Sequence, residues 1–317
     1  LVTFVDLRHF FDEFVPVAPA EELAARWPEL PKPTETAPRV GVIRLPFNLP
    51  ASQGLESPVG YSQILIGRVF DLFYATRSGA FTPSSSGPIG FEYGHQDIAP
   101  YSPLFPIWSV SKVVSAYPLR HPELRFEGQV KGGGSYTYTA PLPIAFWSGQ
   151  HRVLDDAGFQ REVPRFRPHE ELIVSPTEVP LPASRPDLQR VTATIIERTA
   201  NATELRVEAP ADGLVALQDP WFPGWSVEVD GEEAPLLRAN YAFMAVPVKA
   251  GAHVVRFSYF PTTLPWALLS IGAVLGAIGS WSWRRRSAAR VAVQPAGAQQ
   301  VDEHAGRGAN RVDGAVG

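Results

Sequence analysis

The chain has 317 residues, 45% of them hydrophobic and 11% aromatic, which suits about two folded domains and excludes a disordered chain. It contains no cysteine, so disulfide scaffolds, thiolate metal sites and cysteine nucleophiles are excluded. The net charge is only −4, so no general nucleic-acid surface is indicated, but residues 264–317 hold six arginines against three acids and leave 22 basic and 29 acidic residues before them, an asymmetry that points to a membrane.

At the N-terminus, LVTFVDLRHFF offers only five uncharged residues before Asp6, too few for an export signal. It reads instead as the last turn of an upstream membrane helix, with Asp6 and Arg8 emerging at the surface, which makes the chain the distal part of a polytopic protein. Residues 39–47 (RVGVIRLPF) alternate like a short strand, and 60–77 (GYSQILIGRVFDLFYATR) read as an amphipathic helix with Tyr61, Leu65, Val69 and Leu72 on its apolar stripe. Residues 78–105 are rich in Ser, Pro and Gly and read as a long surface loop. Strand-like patterning resumes at 107–117 and 135–139, with a flexible hairpin turn at Lys131-Gly132-Gly133-Gly134-Ser135. Residues 1–162 are thus expected to form a mixed α/β region, and the proline- and charge-rich stretch 163–187 a linker.

From 188 to 262 the pattern changes to short alternating strands at 190–197, 203–209, 213–218, 224–230, 241–248 and 252–259, separated by turn residues. This predicts an antiparallel β-sandwich of the immunoglobulin-like kind. Within it, DPWFPGWSVEVDG (Asp219 to Gly231) places a turn at Pro223-Gly224 and then Trp225, Val227 and Val229 on one face, with Asp230-Gly231 suited to a tight hairpin. Trp225, Val227 and Val229 are therefore expected in the core, where a buried indole contributes on the order of a few kcal/mol. Trp221 and Phe222 precede the alternating run and are the candidate contacts for a glycan or for lipid headgroups.

Leu264 to Trp283 carry no charge over 20 residues, which as a helix cover about 30 Å, the hydrocarbon thickness of a bilayer. Trp266 stands near one end and Trp281 and Trp283 at the other, where indoles favour the headgroup layer. Arg284, Arg285, Arg286 and Arg290 follow at once, so a single transmembrane helix is expected with residues 284–317 as a basic, then disordered, cytoplasmic tail and everything before the span outside the cell. Gly272, Gly276 and Gly279 form a small-residue stripe on which another helix can pack.

Other chemistry is sparse. The seven histidines never fall in HxH or HExxH spacing, so no metal site is expected. The adjacent pairs Asp155-Asp156, Glu170-Glu171 and Glu232-Glu233 read as solvated surface, because neighbours on a strand point to opposite faces and make no acid/base couple. No catalytic residue is identified.

The run DPWFPGWSVEVDGEEAPLLRANYAFMAVPVKAGAHVVRFSYFP, followed directly by the apolar helix, resembles the C-terminal end of bacterial YfhO-like membrane proteins: an aromatic residue, Pro-Gly-Trp, a strand, Asp-Gly, then a glycine-led strand ending in Tyr-x-Pro. Similarity extends upstream to VGYSQILIGRVFDLF, WSVSKVVSAYPL and PIAFWSGQHRVLDDAGF, where Ile144 stands in place of the arginine of the family's Pro-Arg-Ala segment. The resemblance implies a multi-pass protein of the bacterial cytoplasmic membrane with a large extracytoplasmic domain, related to glycosyltransferases that use lipid-phosphate-linked sugars. Catalytic acids of such enzymes lie between early membrane helices, which this chain lacks, so the lipid-linked donor belongs to a full-length parent and no cofactor to this chain. Two readings follow: an accessory domain and last membrane anchor assisting glycosyl transfer to a cell-envelope polymer, with the bilayer and the upstream helices as partners, or a non-enzymatic envelope protein that binds glycan or a protein.

Overall fold

The computed structural model describes residues 29–43, 45, 49–58, 67–78, 81, 102–262 and 264–292. The expected membrane turn at 1–5, the first part of the helix read at 60–77, most of the loop at 78–105 and the tail from 293 lie outside them. The described chain forms two units, Leu1–Pro261 and Thr262–Gly317.

The first unit is mostly β-structure. Its strands are β1 (Arg39–Ile43), β2 (Val110–Ser115), β3 (Leu124–Val130), β4 (Gly133–Tyr138), β5 (Ala145–Ser148), β6 (His151–Val153), β7 (Leu172–Val174) and β8 (Val191–Thr192). They continue with β9 (Thr194–Arg198), β10 (Ala202–Ala209), β11 (Gly213–Leu217), β12 (Trp225–Val229), β13 (Glu232–Ala234), β14 (Leu237–Ala239), β15 (Phe243–Val248) and β16 (Gly251–Tyr259). They make three sheets, ordered β1-β2-β4-β3, β13-β12-β16-β10-β9 and β6-β7-β14-β15-β11-β5-β8. The five-stranded sheet is wholly antiparallel, whereas β1 runs parallel to β2 and β6 parallel to β7. Among the short helices that accompany them are α1 (Gly67–Ser78) and α2 (Asp156–Glu162).

The seven-stranded sheet is the centre, and its inner strands β5, β11 and β15 are covered on both faces. Ala145, Trp147, Val215, Leu217, Met244 and Val246 face Leu205, Val207, Val227, Val255 and Phe257 of the five-stranded sheet. Phe146, Leu214, Ala216, Phe243 and Ala245 face the other way, onto Leu72 and Phe73 of α1, Phe159 of α2 and Tyr136 and Tyr138 of β4. Strands covered on both faces carry side chains in water on neither, which is why β11 reads GLVAL and β15 FMAVPV. Gly213 is required by close approach: a Cβ there would stand 2.4 Å from Trp147 Nε1, so the buried indole of β5 lies directly on the β11 backbone.

The expected sandwich is corrected in its membership. The sheets do stack face to face, but the central sheet draws β5, β6 and β7 from residues 145–174, so it takes strands from before and from within the proline-rich stretch at 163–187. The prolines that suggested a linker flank β7 without entering it: Pro164 and Pro168 precede it and Pro176 follows. The turn expected at Lys131-Gly132 joins β3 to β4, with Val130 opposite Gly133.

Among the described residues the second unit holds one helix, α3 (Leu264–Ala292), of 29 residues. Among the described residues no helix is long and apolar enough to cross a membrane, so the span expected over 264–283 is not carried by the structure. The side chains of 264 and 266–268, at the start of α3, lie outside the described residues. Those that are described are apolar and in the open: Leu269, Ile271, Val274, Leu275, Ile278 and Trp281 are each at least 56% exposed. No atom lies within 4 Å of a Cβ placed on Gly272, Gly276 or Gly279. Arg284 is exposed, and Arg285, Arg286 and Arg290 share the helix with their side chains outside the described residues.

Candidate functional site

The segment Asp219–Gly224 joins β11 to β12 and is fixed at both ends. At its start, Asp219 is gripped by two arginines: Arg39 Nη2 donates to Oδ1 at 2.7 Å, and Arg198 donates to Oδ2 at 2.6 Å and Oδ1 at 2.9 Å. Arg198 also clamps Glu56 through two 2.8 Å bonds, and Arg39 gives Nη1 to the carbonyl of Trp108 at 3.1 Å. The side chains of Arg39 and Asp219 are only 6% and 14% exposed. Burial lowers the Arg39 guanidinium, against the opposing charge of Asp219. Burial alone would raise the Asp219 carboxyl, but the hydrogen bond from Arg198 and the charges of both arginines together hold it below the usual carboxylate range. Two cations and two anions leave the cluster neutral, the condition under which buried charges are tolerated.

At the other end, Gly224 has φ +111°, and a Cβ there would meet the Phe260 carbonyl oxygen and Tyr259 Cε2, both at 2.6 Å. Only glycine lets β16 close on this turn, where Phe260 N–H donates to the Gly224 carbonyl at 2.8 Å. Phe222 packs on Tyr259 with ring centroids 4.7 Å apart, and Trp225 on the same ring at 5.6 Å.

The sequence-derived residues then fall as follows. Val227 is fully buried, and Trp225 and Val229 are half-buried against the same core. Asp230 (φ 55°) and Gly231 (φ 82°) make the β12–β13 turn, and the Asp230 carboxylate reaches β16, accepting from Val254 N at 2.9 Å and standing 2.7 Å from His253 Nδ1. Trp221, expected outside the core, is half-buried against that same core; its N–H donates to the Ala242 carbonyl at 2.7 Å, and the Arg238 guanidinium lies 5.3 Å from its ring centroid. The expected contrast between the two tryptophans is therefore largely absent. The cause is that the turn at Pro223-Gly224 folds the loop back onto the sheet instead of away from it.

Trp221, Phe222 and Pro223 form one wall of an open cleft of about 390 Å³ completed by Gly67, Arg68 and Asp71 of α1, Asp156 of α2, and Tyr241. Arg68 Nη1 donates to Asp156 Oδ1 at 2.7 Å and Nη2 to Oδ2, a bidentate pair; Nη1 also reaches the Tyr241 carbonyl at 3.3 Å, and the guanidinium lies 4.9 Å from the centroid of the Tyr241 ring. Tyr241 Oη donates to Asp71 Oδ2 at 3.4 Å. Burial raises the Tyr241 phenol, and the charge of Asp71 raises it further. Two successive non-glycine residues hold this ring in place from the left-handed region, Asn240 at φ 44° and Tyr241 at φ 73°. Each such residue costs about 1–3 kcal/mol and persists where its surroundings over-determine it. Here they do: Asn240 is fully buried, its N–H donates to the Ile173 carbonyl at 2.7 Å and its Oδ1 accepts from Ile173 N at 3.1 Å.

Sequence reasoning named Trp221 and Phe222 as candidate contacts and Pro223 as a turn residue, and did not single out Arg68, Asp71, Asp156 or Tyr241. One signal was present: Asp155-Asp156 is a helix start, not bare surface, and Asp155 caps α2 by accepting from Gly158 N at 2.7 Å, which leaves Asp156 to face Arg68. Among the described residues no group of three or more histidines and acids stands close enough to hold a metal ion.

Residues 180–270 match the model of the family described as Bacterial membrane protein YfhO. That region runs from the end of the proline-rich stretch through β8–β16 into the first turns of α3, so it includes four of the eight residues lining the cleft. No curated protein and no solved structure matches the chain.

Proposed function

We propose that this chain is the extracytoplasmic module and last membrane anchor of a YfhO-like protein, and that its cleft holds a glycan of the cell envelope while a sugar is transferred to it from a lipid-linked donor. The catalytic residues belong to membrane helices of the parent protein, and this chain alone transfers nothing. The observation that carries the reading is the cleft itself: three aromatic rings and a proline, all from the segment that matches the family, beside a bidentate Arg–Asp pair from outside it. The exposed parts of Trp221 and Phe222 offer apolar surface to the C–H faces of a sugar while the charged pair meets its hydroxyls, the combination of apolar walls and few fixed polar groups expected of a small-ligand site. The anchor reading rests on α3, whose described apolar residues lie in the open and whose end carries arginines.

The test has two parts. In intact cells, a cysteine at Ser184 is labelled by an impermeant reagent and one at Ser287 is not; labelling of Ser287→Cys from outside overturns the topology. The full chain in lipid nanodiscs captures glycans released from the cell envelope, and Phe222→Ala abolishes capture while the circular dichroism stays native. Failure of the unaltered chain to capture any glycan overturns the holding role.

A further inference from the structure

One corner of the five-stranded sheet is aromatic and uncharged, while the far end of the same strands is charged. At the corner, Phe222 and Trp225 pack on Tyr259, Pro223 is exposed and Phe260 is 58% exposed. The bond from Phe260 N–H to the Gly224 carbonyl ties the two segments together. No residue of 220–227 or of 257–283 carries a charge. Arg198, on the neighbouring strand, has its charge met by Glu56 and Asp219. At the far end, where β16 starts at Gly251, Lys249 Nζ donates to Asp212 Oδ2 at 2.9 Å and the Asp230 carboxylate stands 2.7 Å from His253.

We infer that this corner is a foot on the lipid headgroup layer, with Pro223, Trp225, Tyr259 and Phe260 meeting the bilayer surface. The inference rests on the anchor reading above and adds to it a membrane-contacting surface of the first unit itself. Aromatic rings with one apolar and one polar side favour the boundary between hydrocarbon and water, and an exposed apolar patch marks an interaction surface. Covalent reach decides in favour of lipid as the occupant. Four residues lead from Phe260 to Leu264, the first residue of α3, so at most about 14 Å of chain separates the exposed ring from the start of the anchor. The headgroup layer on each side of the hydrocarbon is itself about 5–8 Å deep, so a ring on so short a tether stands in this layer or at its edge. One consequence concerns the cleft: Phe222 lines it and packs on Tyr259, so its aromatic wall opens beside the headgroups, where a sugar on a lipid phosphate is presented.

Because the chain has no cysteine, single cysteines can each carry an environment-sensitive fluorophore on the full chain in lipid nanodiscs. Ser226, exposed and opposite Ser258, reports on the foot; Ala252, also exposed, lies six residues back along β16, about 20 Å away. Ala273 reports on α3. Lipids with a nitroxide on the headgroup should quench the Ser226 probe at least about twofold more than the Ala252 probe, because the layer is thinner than the distance between the two positions. Phe260→Asp places a charge in the foot and should remove that difference. The comparison on the unaltered chain decides the matter even if the variant fails to fold. Equal quenching at Ser226 and Ala252, with the Ala273 probe quenched by a nitroxide on the acyl chain, overturns the foot and leaves the anchor standing; no acyl-chain quenching at Ala273 overturns both. Shielding of the Ser226 probe from aqueous iodide without quenching by the headgroup nitroxide would mean that a protein covers the corner, and it overturns the lipid assignment.

Discussion

Asp219→Ala tests the buried charge cluster that holds the start of the cleft wall. In the native chain Arg39, 6% exposed, sees Asp219 at 2.7 Å and Glu56 only at 3.8 Å, while Arg198 keeps its two bonds to Glu56 whatever happens at 219. Removing the aspartate therefore strands one guanidinium rather than two, inside the protein and with its Trp108 carbonyl contact as its closest remaining partner. Breaking one side of a buried pair in this way costs about 3–5 kcal/mol. At about 2–4 °C per kcal/mol for a unit of this size, melting of the full chain in nanodiscs, followed by near-ultraviolet circular dichroism, should fall by roughly 6–20 °C. Arg39→Met placed in the same chain removes the stranded charge, so the double variant should be more stable than the sum of the single losses by more than about 1 kcal/mol. A fall below about 3 °C for Asp219→Ala, with additive double-variant losses, would mean that the cluster behaves as an exposed ion pair and that the wall is held by packing alone.

Asp219 also sets a pH dependence. Its folded pKa lies below the unfolded value of about 3.9, so its stabilisation is complete above that pH and is lost as the pH falls through the folded value; urea denaturation between pH 7 and 2 should show this loss, and Asp219→Ala should lack that part of it. Trp221→Ala and Trp225→Ala should each destabilise by about 1–3 kcal/mol, since both rings are half-buried against one core, and only Trp221→Ala should also weaken glycan capture; unequal losses, with Trp221 near zero, would restore an exposed platform. Gly224→Ala should cost more than about 2 kcal/mol in the same melts and speed amide exchange at Phe260, because its φ is positive and its Cβ meets the Phe260 carbonyl oxygen as well as the Tyr259 ring.

What the sequence made legible is what is local. Alternation placed Trp225, Val227 and Val229 on one face and marked Asp230-Gly231 as the hairpin, because side-chain direction in a strand depends only on the neighbouring residues. It could not show that β11 lies between β15 and β5, since β5 sits about seventy residues earlier and a run such as GLVAL says that both faces are covered without saying by what. The same limit hid the site. Arg68 and Asp156 are separated by 88 residues and Arg39 and Asp219 by 180, so no spacing rule joins them; the fold does, by laying α1 and α2 on one face of the central sheet. Only the wall contributed by consecutive residues, Trp221-Phe222-Pro223, was visible as a cluster. Its partners are ordinary residues taken singly, and Asn240-Tyr241 betrays nothing of its left-handed backbone until the pairing of Asn240 with Ile173 is known. The chemistry of this cleft is thus a property of tertiary contacts. Any change to a contact that brings its segments together, such as the Arg68–Asp156 pair or the Asp219 cluster, should alter binding even where the residue changed never touches the glycan.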